Sequence, residues 1–228
     1  MAVYHLIKPY LDKITVAWVD TGNNAPELQT YMVELSKRVP RFVRYKSNQP
    51  KWVEQNGMPS DVVPVDNTPI GRMCTGDKEV KIVDYFTCCN ANIWEPFRAV
   101  ISKLGATAVI TGQRSVDGHT IPYKSGQQHE LGYHYYFPID DWTDEQVVQY
   151  LREQGETDPR FDIHHSSIDC LTCTAFCKAS PQRMQYLKAN HPDHYNELVR
   201  RLKLIRGAVD QYLTGMDAVI DSKFEDTE

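Results

Sequence analysis

Four of the six cysteines fall into two pairs: Cys88 beside Cys89, and Cys170-x-x-Cys173 about 80 residues further on. Thiolates are the ligands of zinc and of iron–sulfur clusters, and each pair is fixed locally, so that folding has only to bring two pairs together. Structural zinc favours a C-x2–4-C spacing in both halves, and adjacent cysteines tip the balance toward a cluster. Two other readings stay open from the residues alone: a redox dithiol at Cys170 and Cys173, and two small buried side chains at Cys88 and Cys89. Cys177, four residues past Cys173, suits a spare ligand, a nucleophile or a core residue, and Cys74 lies among glycines without further signal. Two polar turns add a second kind of chemistry. Asp20-Thr21-Gly22 and Gly112-Gln113-Arg114 each follow a short apolar run. If those runs are neighbouring strands, both turns face one crevice. Arg114 then offers a planar fork to phosphate or sulfate oxygens, with Asp20 and Thr21 orienting a nucleotide.

The elements that must position these residues alternate. Residues 2–11 read as a helix stopping near Pro9. Ile14–Val19 (ITVAWV) reads as a buried strand, Pro26–Arg38 as a helix with proline in its first turn, and Arg41–Tyr45 as a second strand. Residues 47–80, rich in Pro, Gly, Asn and Asp, read as a long excursion. A helix is predicted from about Asn92 to Leu104, closed by Gly105. Strands are predicted at Thr107–Thr111 and Tyr135–Ile139, with a glycine-rich loop between them at 115–132. Thr143-Asp144-Glu145-Gln146 is a capping box opening a helix that ends near Gly155. Beyond residue 178 the pattern is helical. Leu198, Leu202, Ile205, Val209 and Tyr212 form an amphipathic stripe suited to packing on the domain or on a partner subunit, which suggests a homo-oligomer. Ser222–Glu228 reads as an acidic tail.

Strands alternating with helices predict a doubly wound, mostly parallel α/β fold, in which ligands sit beyond the carboxyl ends of strands. The expected domains are 1–178, carrying the turns and the paired cysteines, and a helical extension at 179–228. In 228 residues, 41% are hydrophobic and 24% charged, with a net charge of −5, which argues against a disordered or collagen-like chain and against a basic footprint for duplex nucleic acid. No apolar run reaches membrane-spanning length, and the start carries no signal-peptide pattern. A cytoplasmic protein without a membrane partner is expected, in a reducing compartment where grouped thiols read as metal-binding or redox-active.

Together these residues resemble the iron–sulfur phosphoadenylyl-sulfate (PAPS) and adenylyl-sulfate reductase family. Its C-C, then C-x-x-C, pattern matches Cys88-Cys89 and Cys170/Cys173. Trp18-Val19-Asp20-Thr21-Gly22 with Pro26-Glu27 resembles its strand, D-T-G turn and P-E helix. Glu95-Pro96 is similar to its E-P-L, and Thr111-Gly112-Gln113-Arg114 to its T-G-x-R. Pro138-Ile139-Asp140-Asp141-Trp142-Thr143 is similar to its P-L-x-D-W-T. Asp158-Pro159 through Ser167-Ile168-Asp169-Cys170 resembles its N-P-L-Y…S-I-G-C segment. The resemblance covers roughly residues 1–178. It implies an adenine-nucleotide α-hydrolase-like, Rossmann-like sheet and a [4Fe–4S] cluster on Cys88, Cys89, Cys170 and Cys173. It also implies an adenosine phosphosulfate, or another adenine nucleotide, held by Asp20, Thr21, Gly22, Gly112 and Arg114, and a thioredoxin-like thiol donor that releases sulfite.

Three departures bear on that implication. The family's S-G-G-K-D-S phosphate loop precedes the helix that here begins at Met1. The expectation is therefore either an internal methionine start or a chain that does not bind nucleotide in the family manner. The family's nucleophilic cysteine lies in an E-C-G-L-H tail, whereas here the tail reads Asp217-Ala218-Val219-Ile220-Asp221-Ser222-Lys223, which leaves the catalytic residue unassigned and Cys177 as the candidate. The family's R-K after the cysteine pair is replaced by Asn92 and Ile93. The alternatives are a sulfur-transfer or ATP-pyrophosphatase-type enzyme acting on nucleic acid or a small molecule, and a catalytically inactive member.

Overall fold

A computed structural model describes residues 1–117, 122–157, 170–176 and 181–222. The expectations at Gly118, across 158–169, at Cys177 and Ser180 and over 223–228 lie outside the described residues. The described chain forms nine α-helices and six short strands, grouped in two compact units that interleave along the sequence.

The first unit draws its described residues from Met1–Asp20, Pro26–Ser47 and Ile93–Ser167. Helix α1 (Ala2–Ile7) runs into a 3-10 turn at Lys8–Tyr10, with Pro9 where the α-helix stops. Strand β1 (Val16–Asp20) pairs in parallel with β2 (Phe42–Lys46), from Val16 opposite Phe42 to Asp20 opposite Lys46. The crossover between them is α2 (Pro26–Arg38), whose Leu35 joins Leu11 and Val39 in a buried group. Helix α6 (Glu95–Leu104) ends at Gly105, whose φ of 57° is the left-handed cap that glycine adopts without strain. Ile101 of α6 packs with Val109 of β5 (Ala108–Ile110), Tyr135 of β6 (His134–Tyr136), Tyr133 and Phe137. Strands β5 and β6 are again parallel. Helix α7 (Asp144–Glu153) carries the capping box in full: the Gln146 amide donates to Thr143 Oγ1 at 3.3 Å, and the Thr143 amide donates to Gln146 Oε1 at 2.8 Å.

The second unit draws its described residues from Thr21–Ala25, Asn48–Asn92 and Ile168–Glu228. Here the expected excursion at 47–80 is structured. Helix α3 (Gln49–Asn56) is capped by the Asn48 side chain, which accepts from the Lys51 amide. Strand β3 (Met58–Ser60) follows, and Thr68 caps α4 (Pro69–Thr75). The same Pro, Asn and Gly residues that suggested a long excursion serve as N-caps, first-turn prolines and helix stops. Strand β4 (Ile82–Asp84) pairs in parallel with β3. Helix α5 (Tyr85–Cys89) follows at once, capped by Asp84, and widens into a π-helical turn at Asn90–Trp94. Helices α8 (Pro181–Asn190) and α9 (Pro192–Ile220) pack on each other, and α9 also meets β3. On the predicted α9 stripe, Leu198 and Ile205 are buried.

The architecture is α/β with parallel strand pairs, helical crossovers joining β1 to β2 and β3 to β4, and its C-terminal part is helical. The ladders are three separate two-stranded pairs among the described residues. Strand β1 is hydrogen-bonded to β2 and β5 to β6, so no ladder joins the strand before Asp20 to the strand before Gly112.

Candidate functional site

The two cysteine pairs lie on two separate stretches of the second unit, Asn48–Asn92 and Ile168–Glu228, and the Cys173 sulfur is near enough to act on both Cys88 and Cys89. Cys88 and Cys89 form the last turn of α5, where β4 leads directly into the helix. Cys170 and Cys173 lie on a tight turn in which the Cys173 amide donates to the Cys170 carbonyl at 3.1 Å. That segment is tied down at several points. The Leu171 amide donates to the Asn23 carbonyl at 2.9 Å, the Thr174 hydroxyl donates to the Pro59 carbonyl, and the Phe176 amide donates to Asp61 Oδ1 at 2.8 Å.

A polar network runs between the pairs. Asn23 Nδ2 donates to Gln49 Oε1 at 3.0 Å and to Thr172 Oγ1 at 2.8 Å. Gln49, buried to 1% exposure, turns its own amide toward Cys88 Sγ at 3.8 Å. Asn92 approaches Cys88 Sγ from the π-helical turn, also at 3.8 Å, and donates to the Cys88 carbonyl at 3.0 Å. The Cys170 thiol points at Thr21 Oγ1, 3.6 Å away, and the Thr21 hydroxyl donates to Asn24 Oδ1 at 2.9 Å. Thr21 is therefore placed beside a cysteine, and Asn92 presents an amide to another.

Burial dominates the chemistry of these thiols. It pushes Cys88 up to about 11 and Cys89 up to about 12, and the nearby Cys173 sulfur adds to both. Cys173 is raised as well, chiefly by burial. Cys88, Cys89, Cys170 and Cys173 are all free of disulfides. Desolvated thiols that sense one another's charge stay protonated near neutrality unless a cation takes up the thiolate charge. Four thiols from two segments, with amide and hydroxyl donors beside them, match in donor type and number what an iron–sulfur cluster requires. Among the described residues, no group of three or more His, Cys, Asp or Glu side chains closes on one point as a single-ion site. A cluster spreads its thiolates over separate irons.

The structure also shows a residue with no sequence signal. Arg183, in the first turn of α8 and 6% exposed, spreads its guanidinium over the cysteine turn. Nη2 donates to the Cys170 carbonyl at 2.7 Å and the Leu171 carbonyl at 3.1 Å, and Nη1 donates to the Cys173 carbonyl at 3.4 Å. An arginine ten residues past a C-x-x-C has no pattern of its own, and the contact exists only because α8 folds back on the turn. Gln49, Asn23 and Thr172 were equally silent.

In the first unit, Asp20 is 3% exposed and is gripped by Arg44, whose Nε donates to Asp20 Oδ2 at 2.9 Å. Arg44 also lies over the Trp18 ring, 4.6 Å from its centroid. Arg114 is held by two carboxylates: Nη2 meets Asp117 Oδ1 and Asp144 Oδ1, each at 2.7 Å. Its Nη1 is buried without a hydrogen-bond partner among the described residues. Gly112 sits against Val3 and Ile139 at ordinary contact distance for an added Cβ, whereas Gly22, in the second unit, has a φ of 75° that favours glycine.

Residues 1–176 match the family model described as phosphoadenosine phosphosulfate reductase domain, and the chain belongs to that family. Among solved structures it is similar to the crystal structure of phosphoadenylyl-sulfate (PAPS) reductase from Candida auris in its phosphate complex. The identity is 18% over 73% of each chain, with a TM-score of 0.47. No curated protein matches the chain. No described helix is long and apolar enough to cross a membrane.

Proposed function

We propose that this chain is an iron–sulfur member of the family that reduces an adenosine phosphosulfate to sulfite. Its [4Fe–4S] cluster is held by Cys88, Cys89, Cys170 and Cys173, and its electrons come from a thioredoxin-like thiol donor. The observation that supports the reading is the Asn23–Gln49–Thr172 network, which links Cys88 to the Cys170–Cys173 turn, with Cys173 near enough to act on both Cys88 and Cys89. When bound, the cluster supplies the positive iron that lets four desolvated thiolates exist side by side. In the overall reaction the sulfur gains two electrons while two thiols close to a disulfide, and the adenosine phosphate leaves. Arg114 is the residue assigned to the phosphate or sulfate oxygens. Its buried, unpartnered Nη1 is the donor available to them, and the Asp117 and Asp144 carboxylates fix the fork from the other side. Cys177, the candidate nucleophile, lies outside the described residues.

The test is anaerobic purification followed by iron and acid-labile sulfide analysis, with about four of each expected per chain. About one zinc with no sulfide overturns the cluster assignment. Sulfite release from radiolabelled adenosine phosphosulfate, with a dithiol or thioredoxin as donor, tests the reaction. ATP–pyrophosphate exchange without sulfite release assigns the chain to adenylating sulfur transfer instead.

A further inference from the structure

The C-x-x-C turn is short, and its backbone is not part of any strand or helix. Its carbonyls at positions 170, 171 and 173 all point to one side, toward Arg183. A planar guanidinium is the side chain that can hold three carbonyls of one turn at once, because its donors are set in a fixed fork. Burying it costs desolvation, so it sits there only because the carbonyls repay that cost. The same group places a positive charge beside Cys173, where Arg201 adds to it and Asp61 opposes it.

We infer that Arg183 is the positioning residue of the Cys170–Cys173 turn: it fixes the two thiols for ligation and sets the local charge next to them. The positioning half stands on the hydrogen bonds alone. The charge half rests on the cluster reading. Reduction adds negative charge to a cluster, and a neighbouring guanidinium favours the reduced form.

The variants are Arg183→Lys, which keeps the charge on a single point, and Arg183→Gln, which removes it. Far-UV circular dichroism confirms that each is folded, and the conservative lysine variant serves where the glutamine variant does not fold. In iron-free protein, a limiting pulse of iodoacetamide followed by peptide mass spectrometry reads each cysteine separately. Alkylation of Cys170 and Cys173 is expected to accelerate in Arg183→Lys, which loosens the turn but keeps the charge, with Cys88 and Cys89 unchanged. In iron-loaded protein, release of iron to a chelator is expected to accelerate about 10–100-fold in both variants, the usual cost of losing an outer-shell partner. The midpoint potential from spectroelectrochemical titration is expected to fall in Arg183→Gln and to stay near wild type in Arg183→Lys, a separation that a merely structural role does not produce. Wild-type alkylation patterns and wild-type iron release in both variants overturn the inference. Equal potentials in the two variants overturn its charge half. A wild-type protein without iron and sulfide overturns the cluster reading, and the alkylation result then decides on Arg183 by itself.

Discussion

The Asn23 amide is the joint of the network between the cysteine pairs, and Asn23→Ala tests whether that joint holds the second unit together. The substitution deletes two donors, one to Gln49 Oε1 at 3.0 Å and one to Thr172 Oγ1 at 2.8 Å. The two losses are unequal. Thr172 carries a hydroxyl that can turn to another acceptor, so its share is near the ordinary net value of about 1 kcal/mol. Gln49 is 1% exposed and its carbonyl cannot reach water, so stranding it costs about 1–3 kcal/mol. The sum is about 2–4 kcal/mol, at about 2–4 °C per kcal/mol for a chain of this size, so the melting temperature is expected to fall on the order of 10 °C. Thermal melts by circular dichroism, at fixed cofactor content, measure it. The decisive comparison is Gln49→Leu in both backgrounds. Once Asn23 is alanine, removing the stranded carboxamide relieves a penalty, so the double variant is expected to be less destabilised than the two single changes combined, by about 1–2 kcal/mol. Additivity within about 0.5 kcal/mol would refute the network as a coupled unit.

Other consequences can be read as directly. Gly57 has a φ of 122°, and a Cβ there would meet the Lys81 carbonyl carbon at 2.7 Å and its oxygen at 2.8 Å, where β3 and β4 begin to pair. Gly57→Ala is therefore expected to cost about 1–3 kcal/mol in backbone strain alone, seen as a lower denaturant midpoint. Glu197 is held down to about 2 by hydrogen bonds from Arg200 and Arg201. Because its folded value lies below the ordinary 4.5, its contribution is complete above pH 4.5 and is lost as the pH falls toward 2; Glu197→Gln is expected to flatten that part of the acid-unfolding curve. Thr143→Ala removes the hydroxyl half of the α7 capping box and is expected to cost about 1 kcal/mol in a urea melt; no change in midpoint would show that the cap does not hold the helix start.

How much was legible beforehand depended on the distance over which each residue acts. Helix α2 was predicted at the bounds it has, Pro26–Arg38, because its proline start and apolar spacing are local signals. The Thr143 capping box and the Gly105 stop were legible for the same reason, each residing within a few consecutive residues. Residues 47–80 gave only the reading of a long excursion, without its helices and strands, because Pro, Asn and Gly punctuate short elements as readily as they build loops. Whether the strands before Asp20 and Gly112 are neighbours had no local signal behind it, and among the described residues each is hydrogen-bonded to another partner. The two cysteine pairs were visible as motifs, but the Asn23, Gln49 and Thr172 side chains that link them carry no pattern.

From the sequence alone came the α/β alternation and the two cysteine pairs as candidate ligands, since residue type and spacing are local, and the resemblance of the quoted motifs supplied the family. Only the tertiary structure decided that Arg183 grips the cysteine turn, that Thr21 faces Cys170, and that Arg114 is already held by Asp117 and Asp144. These contacts depend on which distant segments pack together. Burial, which is set by the fold as a whole, then raises the Cys88 thiol to about 11 and the Cys89 thiol to about 12, so that both are neutral near pH 7.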